Sequence, residues 1–553
     1  MDVDVVVIGS GAGGLTAAVA LARAGKKVVV LEQHDVPGGW CHSFVLEGHK
    51  FSPGVHYLGE LQEGGRLREI YEGLGMGPDL NFLELNPNGF DRLMIGDQRV
   101  DVPAGADRFA ENLIARFPHE KAGITKWFEL VGKMAHELSD ELPKVKGLRD
   151  AWKLPFIAPT LTLHGFRSAG AVAASLVKDP VLRGMLVLQA GDHGVGPNSA
   201  PMAVHASVQA HYFHGGWYPR GGGQALPRAY LKQLKAHGGE IRLKTTVEKI
   251  LVEGAIGSAK VVGVRLADGT EIRASHVISN ADPGITFGRL IDADRLSPAV
   301  HNKLKKTKWS ISCLSLYAAG EFDADALGLD SGNLWYSADG DVQKGYDVCA
   351  RSSLDGVTFP GQFLTITTLK DRSKGDGRTH TLESFVFVGK EPFRKWADTA
   401  YGARPDDYKR LKQELGDKMV KGLDRIVPGL SDKITFRDLG TPLTNEHYVM
   451  GTEGNLYGNE KSRWQVGPFG WNLRTEVGGL WLCGASTISH GVLGASTSGL
   501  YAAAKIAGCR AQDLLTPNQA KIGCYLADDP SGWPAPWRDQ MARKRGEETA
   551  AAK

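Results

Sequence analysis

The sequence predicts an α/β fold in which a parallel sheet forms the centre of one domain and a mixed sheet forms a second. Three observations predict it. A buried strand, a glycine-rich turn and a helix follow one another at the start of the chain. Two more glycine-rich clusters with strand and helix patterns lie in residues 214–250 and 478–508. Runs of alternating hydrophobicity between residues 309 and 389 are typical of strands in a further sheet.

The first segment carries the fingerprint of a dinucleotide-binding fold. Val3–Ile8 is an apolar, largely β-branched run that is typical of a buried parallel strand. Three glycines follow it in G-x-G-x-x-G spacing: Gly9, Gly11 and Gly14. A helix of small residues is predicted from Leu15 to Ala24, and a second strand runs from Lys27 to Leu31 and ends at Glu32. This context, rather than the glycines alone, predicts a Rossmann-like domain.

Each residue of the fingerprint has a physical role in holding a dinucleotide. Gly9 allows a tight turn, Gly11 lets the backbone approach a pyrophosphate on the helix N-terminus, and Gly14 brings helix and strand together. Glu32 is placed to accept hydrogen bonds from a ribose hydroxyl. The fingerprint suits NAD and FAD equally. A strand that begins at residue 3 favours FAD, because many flavoproteins open in this way.

A double glycine follows the acidic strand end, in the stretch "PGGWCHSF". Gly38 and Gly39 suit a second close approach of backbone to the cofactor, and Trp40 would lie beside it. Cys41 and His42 could be a metal pair, a covalent flavin tether, an activated thiol or lining of the cofactor pocket. No further metal ligands lie nearby in sequence, and adjacent side chains often point apart. We therefore favour pocket lining, with no metal and with FAD bound non-covalently.

The two later glycine clusters are similar to the returning segments of flavoproteins with two dinucleotide-binding domains. In the first, a helix is followed by a strand that contains Val247, which would border the adenine, and a hairpin ends at Asn280. In the second, a strand ends before Gly484 and a helix begins at about Gly494. The N-terminus of that helix would point at the flavin end of the cofactor. Val247, Asn280, Gly484 and Gly494 are therefore predicted to contact FAD.

Composition excludes several classes of function. The 553 residues carry a net charge of +3, which is too small to predict nucleic acid as a partner. The six cysteines are scattered without zinc spacing, as in proteins whose thiols stay reduced inside the cell. Residues 3–22 fit the first strand and helix, broken by glycines, better than a signal peptide or a membrane span. We expect a cytoplasmic protein, with peripheral membrane association as an open alternative.

Taken together, the three segments resemble the carotenoid and retinoid branch of FAD-dependent oxidoreductases, which includes phytoene desaturases, carotenoid isomerases and all-trans-retinol 13,14-reductases. The likeness covers most of residues 1–509 and is strongest in "GGWCHSF", "FSPGVHYLG" and "TPLTNEHYV". It implies an enzyme that transfers hydride to or from a carbon–carbon double bond of an apolar isoprenoid or related lipid. Reduction or isomerisation is the closer match. Desaturation, or an amine-oxidase-like reaction on the same fold, is the alternative.

The resemblance places three candidate proton-transfer residues near the flavin ring: His56, Tyr57 and His490. Each has an alternative role as a hydrogen-bonded wall residue. His490 follows Ser489 where many relatives have Pro-Gly or Cys-Gly, so the chemistry of this loop stays open. No second G-x-G-x-x-G follows a strand, so electrons are expected from an external donor or from a transiently bound nicotinamide.

The same segments divide the chain into parts that alternate between domains. The predicted FAD-binding domain is formed by residues 1–60, 214–292 and 470–512. A helical lid and substrate region is predicted over 61–213, a substrate domain of sheet and helices over 293–469, and a C-terminal extension over 513–553. Within the lid region, 104–140 is predicted to be helical. Residues 146–170 interleave cations with aromatic side chains, which suits either membrane contact or a lid packed on its own core. The cations are Lys146, Arg149, Lys153 and Arg167.

Overall fold

The computed structural model describes residues 2–145, 148–517 and 520–546. Its strands, in chain order, are β1 (Val3–Ile8), β2 (Val28–Leu31), β3 (Phe44–Leu46), β4 (His49–Phe51), β5 (Asn81–Glu84), β6 (Asp91–Ile95), β7 (Gln98–Val102), β8 (Trp217–Pro219), β9 (Glu240–Arg242), β10 (Val247–Glu253), β11 (Lys260–Leu266), β12 (Glu271–Ser279), β13 (Ser312–Glu321), β14 (Asn333–Ser337), β15 (Gly361–Ile366), β16 (Thr379–Val388), β17 (Ile434–Gly440), β18 (Leu480–Leu482) and β19 (Gly523–Leu526). Its α-helices are α1 (Ala12–Arg23), α2 (Arg66–Gly73), α3 (Ala106–Arg116), α4 (Lys121–His136), α5 (Leu154–Ile157), α6 (Pro159–His164), α7 (Ala169–Leu176), α8 (Pro180–Val187), α9 (Met202–His211), α10 (Ala225–Ala236), α11 (Pro283–Gly288), α12 (Pro298–Lys306), α13 (Gln343–Asp347), α14 (Thr367–Lys370), α15 (Asp406–Gly422), α16 (Pro442–Val449), α17 (Gly491–Ala507) and α18 (Ala535–Arg545).

The first sheet is built by the three glycine-rich segments, as the sequence predicts. Its strands run in the order β10-β11-β12-β1-β2-β9, and β18 pairs with β12. β1 lies between β12 and β2 and pairs in parallel with both, so the start and the middle of the chain share one buried centre. The valines of β1 and β2 pack on both faces of the sheet, which explains their continuous apolar runs.

Helices α1 and α17 pack against each other beside this sheet, and glycines make the approach possible. A Cβ at Gly499 of α17 would lie 2.0 Å from the Gly13 carbonyl oxygen. A Cβ at Gly14 would lie 2.2 Å from the Gly9 carbonyl oxygen, so Gly14 has the predicted role of bringing helix and strand together. Because β1 and β18 are both parallel to β12, the helices that follow them start at the same edge of the sheet.

The second sheet is mixed, with the order β17-β13-β16-β15-β14-β6-β7. The period-two runs between residues 309 and 389 form β13, β15 and β16, which are buried along most of their length. β14 pairs in parallel with β6 and antiparallel with β15. β6 and β7 come from the region 61–213, where the sequence indicated helices. Each of these strands has only five residues, too few for a strong periodic signal.

The lid region is helical where 104–140 was predicted to be, in α3 and α4. α4 packs against α9 and continues into a π-helical turn over Glu137–Glu141. The buried Glu137 carboxylate accepts hydrogen bonds from the backbone of Thr160 at 3.0 Å and of Leu161 at 2.6 Å, at the start of α6. These bonds tie the segment around α5 and α6 to the end of α4.

The C-terminal extension packs on the body of the protein as far as the described residues reach. β19 pairs in parallel with β5, and the Trp533 side chain is buried. Across residues 2–145, 148–517 and 520–546, no helix has the length and apolarity needed to cross a membrane. All six cysteines are free thiols.

Candidate active site

A cavity of about 1550 Å³ runs along the edge where the first sheet meets the second. The glycine turns of the first sheet line one end, which we call the nucleotide end. The other end, which we call the catalytic end, has an aromatic wall from the second sheet: Trp335, Phe363 and Phe385. His56, Tyr57 and His490, predicted from distant sequence motifs, all line this same cavity.

Asn280 is the point where the three glycine-rich segments meet. Its Oδ1 accepts a hydrogen bond from the Gly14 backbone N–H at 3.1 Å. A Cβ at Gly13 would lie 2.8 Å from Asn280 Oδ1, and a Cβ at Gly484 would lie 2.9 Å from the same atom. A Cβ at Gly11 would lie 2.6 Å from Asn280 Nδ2. Glycine at these positions therefore keeps the backbone of all three turns close together.

The double glycine lies directly on the first glycine turn. Gly38 and Gly39 have φ angles of 125° and 54°, a region that favours glycine. The Gly38 N–H donates to Ser10 Oγ at 3.0 Å, and a Cβ at Gly39 would lie 3.2 Å from the Gly11 Cα. The two turns together present bare backbone to the cavity.

Glu32 is held in place at the nucleotide end by the backbone around it. Its Oε2 accepts hydrogen bonds from Ser10 N at 2.9 Å and Ser10 Oγ at 2.5 Å, and its Oε1 accepts one from His34 N at 3.0 Å. An ionised carboxylate offers about four acceptor positions, so one remains for a ligand hydroxyl. Val247, the predicted adenine neighbour, lines the same end of the cavity.

Two helix N-termini open onto the cavity. Neither the Gly11 N-cap of α1 nor the His490 N-cap of α17 makes a side-chain capping bond, and neither helix has an acidic residue in its first turn. Gly491 to Ala495, which include Gly494, line the cavity. Uncapped N–H groups and the helix dipole suit the phosphates and electron-rich ring edge of a dinucleotide. The residues present therefore fit FAD.

The side chains of Trp40, Cys41 and His42 diverge. Cys41 belongs to the buried core around α1, and burial raises the pKa of its thiol to about 12. The His42 ring donates from Nδ1 to the Gly39 carbonyl at 2.6 Å, and burial lowers its pKa. A thiol that stays protonated does not suit an activated nucleophile. Among the residues that the structure describes, no group of three or more His, Cys, Asp or Glu could hold a metal ion. These contacts support pocket lining.

His56 forms a pair with a buried glutamate that the sequence analysis did not identify. Its Nε2 lies 3.2 Å from Glu383 Oε2, and Glu383 Oε1 accepts a hydrogen bond from Ser52 N at 2.7 Å. The His56 ring packs beside the stacked pair of Phe363 and Phe385, with ring centres 5.4 and 5.7 Å away. A single acid within the apolar strand "LESFVFV" is the signal that could have identified Glu383.

Tyr57 connects the buried Asp91 with the partly buried Asp192, neither of which the sequence analysis identified. Its hydroxyl lies 2.8 Å from Asp192 Oδ2 and 3.1 Å from Asp91 Oδ2. Burial, together with the negative charge of Asp91, raises the pKa of Asp192 to about 8. Burial also raises the pKa of Asp91 to about 6, against hydrogen bonds from Asn333, Gln189 and Tyr57 that lower it. No local motif marks either aspartate in the sequence.

His490 is buried at the N-terminus of α17, with its ring 5.2 Å from that of Tyr457. Burial lowers the pKa of His490 to about 3, and the positive charge of Lys461 acts in the same direction. The imidazole is therefore neutral at physiological pH and cannot serve as a protonated acid there.

Comparison with known proteins agrees with this geometry. The family model described as flavin containing amine oxidoreductase matches residues 12–319. The zebrafish (Danio rerio) protein all-trans-retinol 13,14-reductase is 30% identical over 526 residues, which cover 90% of this chain and 85% of that protein. The chain belongs to the flavin-containing amine oxidoreductase family. The resemblance to FAD-dependent carotenoid and retinoid oxidoreductases that the sequence predicts is confirmed.

Two further relatives of this flavin oxidoreductase extend the comparison. The chloroplastic prolycopene isomerase of carrot (Daucus carota) is 29% identical over 519 residues, which cover 92% of this chain and 80% of that protein. A solved structure of putrescine oxidase with bound putrescine superposes with a TM-score of 0.61 at 17% identity, covering 92% of this chain and 99% of that one. This second likeness shows the fold. The predictions of an oxidoreductase, of FAD and of the α/β flavoprotein fold are confirmed.

Proposed function

We propose that this flavin oxidoreductase acts on a carbon–carbon double bond of an apolar isoprenoid or related lipid, by reduction or isomerisation. The observation that carries this proposal is the aromatic wall of the catalytic end, formed by Trp335, Phe363 and Phe385. It suits an apolar conjugated chain. The relatives support the substrate class, because retinoids and carotenoids are apolar polyenes.

The titratable groups of the catalytic end favour this proposal over an amine-oxidase-like reaction. A protonated amine would need an ionised carboxylate as its anchor, whereas burial keeps Asp192 protonated at neutral pH. His490 is neutral as well. A desaturase would use the same apolar cavity, but electrons would pass from the lipid to the flavin. Desaturation of a carotenoid is therefore the second candidate function.

We propose the residues named from the sequence as the FAD site: Gly9, Gly11, Gly14, Glu32, Gly38, Gly39, Trp40, Val247, Asn280, Gly484 and Gly494. Bound FAD would supply the hydride donor or acceptor. The glycine turns would hold the pyrophosphate of FAD, and Glu32 would accept a hydrogen bond from a ribose hydroxyl. The N-terminus of α17 would face the edge of the flavin ring. Tyr57 would take part in proton transfer at the catalytic end, and His56 would shape the space for the substrate there. His490 would act as a neutral wall residue. Electrons would come from an external donor or a transiently bound nicotinamide.

We further propose peripheral membrane contact by the segment 146–170 in a cytoplasmic protein. Trp152, Phe156 and Leu163 expose 67, 78 and 70% of their surface. Phe166 meets the exposed Phe469 with ring centres 6.2 Å apart. Lys146 lies outside the described residues. An exposed aromatic surface close to the cavity wall around Leu138 would give a lipid a short path to the flavin.

The proposal is tested with the holoenzyme under anaerobic conditions. Reduced enzyme is mixed with all-trans-retinol, prolycopene and unsaturated lipids, and oxidised enzyme is mixed with putrescine and phytoene, while flavin absorbance is followed. We expect a polyene to reoxidise the flavin or to be isomerised by the reduced enzyme. Flavin reduction by phytoene would favour the desaturase instead. Reduction by putrescine, with every polyene inert, would contradict the proposed substrate class.

A further inference from the structure

We propose that Asp192 is a catalytic residue of this site, the carboxylic acid that gives a proton to a substrate carbon, and that Tyr57 and Asp91 are its positioning residues. This inference rests on the proposed function in its reductive form. Asp192 lines the cavity, and the part of its surface that is accessible faces that space. Tyr57 lines the cavity beside it.

The hydrogen count around Tyr57 requires a protonated carboxyl. Its hydroxyl has one hydrogen, yet its oxygen lies within hydrogen-bond distance of both Asp192 Oδ2 and Asp91 Oδ2. Two ionised carboxylates could not both be satisfied by that one hydrogen. Both contacts are hydrogen bonds only if one of the two aspartates carries a proton and donates it to the Tyr57 oxygen.

The surroundings assign the negative charge to Asp91 and the proton to Asp192. Asp91 Oδ1 accepts from Asn333 Nδ2 at 2.8 Å, and its Oδ2 accepts from Gln189 Nε2 at 2.7 Å. The buried Lys370 ammonium, bound to Asn333 Oδ1 at 2.5 Å, contributes a positive charge on the same side. The Asp192 carboxyl has a single side-chain partner, Tyr57, among the hydrogen bonds of the described residues. A carboxyl with so few donors is held in its neutral form.

The tyrosines and histidines around Asp192 are neutral near pH 7. Burial raises the pKa values of Tyr57, Tyr212 and Tyr457, and it lowers the pKa of His490 and His211. Burial lowers the pKa of Lys370, on the side of Asp91, to about 7. Asp91, Asp192 and Lys370 are thus the groups in this cluster that titrate between about pH 5 and about pH 9. The higher of the two aspartate pKa values belongs to Asp192, in agreement with the hydrogen count.

The proposed step balances in atoms and charge. The π bond of the substrate breaks; one carbon takes a hydride from reduced flavin, which is oxidised, and its neighbour takes the proton of Asp192. Two carbon–hydrogen bonds form, and Asp192 is left as a carboxylate. The Tyr57 hydroxyl then turns from Asp91 to Asp192 and stabilises the new charge. Solvent returns the proton to Asp192 once the product has left the cavity.

The test compares Asp192→Asn with Asp91→Asn, both as FAD-loaded protein. Infrared difference spectroscopy at neutral pH should show the C=O band of a protonated carboxyl in the wild type and no such band in Asp192→Asn. In Asp91→Asn the band should disappear at a lower pH than in the wild type. Single-turnover reoxidation of the reduced enzyme by all-trans-retinol or prolycopene should be slower by about a hundredfold or more in Asp192→Asn, the usual scale for a lost general acid. Asp192→Glu, which keeps the acid, should recover part of the rate.

The pH profile separates a donor from a structural residue. The wild-type rate should fall as pH rises through about 8, where Asp192 loses its proton. In Asp91→Asn this fall should move to lower pH, because the Asp91 charge no longer opposes ionisation of Asp192. In Asp192→Asn the fall should vanish.

Three results would overturn the inference. They are a native rate in Asp192→Asn with full FAD content, a wild-type spectrum without the protonated-carboxyl band, and isomerisation of the polyene with no oxidation of the flavin. If neither polyene reoxidises the reduced wild type and neither is isomerised by it, the proposed function is contradicted, and the donor role of Asp192 fails with it. The infrared band still decides in that case whether Asp192 holds a proton.

Discussion

The nucleotide end of the cavity is made of backbone, whereas the catalytic end is made of buried side chains. At the nucleotide end, three glycine turns and two helix N-termini meet at Asn280. At the catalytic end, Tyr57, Asp91 and Asp192 come from a loop, a strand of the second sheet and a turn after α8. Backbone dipoles are fixed by the fold and hold a phosphate without titrating. Buried carboxyls change their charge with pH, so they can move protons.

This comparison predicts different failures at the two ends. A bulky residue at the nucleotide end should prevent FAD binding. A change at the catalytic end should leave FAD bound and alter proton transfer, pH dependence or substrate fit.

Gly14→Val and Gly11→Val should give protein without flavin. At Gly14 even a Cβ would lie 2.2 Å from the Gly9 carbonyl oxygen, so this variant should also lose stability. At Gly11 the nearest atom is the Asn280 amide, 2.6 Å from a Cβ, so the chain should fold while the pyrophosphate is excluded. The flavin content of purified protein measures both effects. Gly345→Ala, where a Cβ meets nothing within 4 Å, is the control. Full flavin in Gly11→Val would contradict the nucleotide assignment.

The stability of the wild type should depend on pH through Asp192. Its pKa is raised from 3.8 to about 8 on folding, so the folded state holds more protons than the unfolded state between these values. The contribution of this group is therefore fully present below pH 3.8 and is lost as pH rises through about 8. Asp192→Asn cannot ionise, so its stability relative to the wild type should rise across this window, by at most about 1.4 kcal/mol per pH unit.

Urea denaturation at several pH values checks this expectation. Asp35→Asn is the matched control, because it makes the same substitution at an aspartate in the nucleotide end of the cavity, away from Asp192. A difference between Asp192→Asn and wild type that stays constant with pH would mean that Asp192 is ionised in the folded protein.

His56→Phe and Glu383→Gln should affect substrate fit more than turnover. The His56 ring packs against a stacked pair of phenylalanines, and its Nε2 lies 3.2 Å from Glu383 Oε2. We expect KM to rise by about tenfold, with kcat within about threefold of the wild type, because uniform binding is lost. Steady-state kinetics with the polyene that reoxidises the reduced enzyme measures the two constants. A loss of kcat of about a hundredfold with unchanged KM would instead make His56 the proton donor.

The smallest effect is expected at the exposed aromatic surface of residues 146–170. Changing Trp152, Phe156 and Ile157 together to Ser should weaken co-sedimentation with anionic vesicles by about fivefold, because less apolar surface enters the interface. FAD content should stay unchanged. A control triple variant at exposed apolar residues elsewhere is Val45→Ser, Ile256→Ser and Leu526→Ser. Equal sedimentation of both triple variants would favour a lid that packs on its own core.

The contrast between the two ends also explains what the sequence could predict. The nucleotide end depends on local patterns, since a glycine spacing, a strand and a helix N-terminus occupy one short segment each. The first sheet, its parallel pairing and the role of Gly14 follow from such patterns. The catalytic end depends on long-range contacts: Tyr57 meets Asp192, 135 positions away. Asp91 lies in a five-residue strand that was not predicted. Nothing in a local window pairs these residues.

The most direct test of the central claim is a single turnover of anaerobically reduced holoenzyme with all-trans-retinol and with prolycopene, followed by the mass of the lipid and the redox state of the flavin. We expect a lipid two hydrogens heavier in equal amount to the flavin oxidised, or an isomerised lipid with the flavin still reduced. Gly11→Val, without flavin, should convert neither lipid. Unchanged lipids in the presence of fully reduced flavin would contradict the claim that this cavity performs chemistry on isoprenoid double bonds.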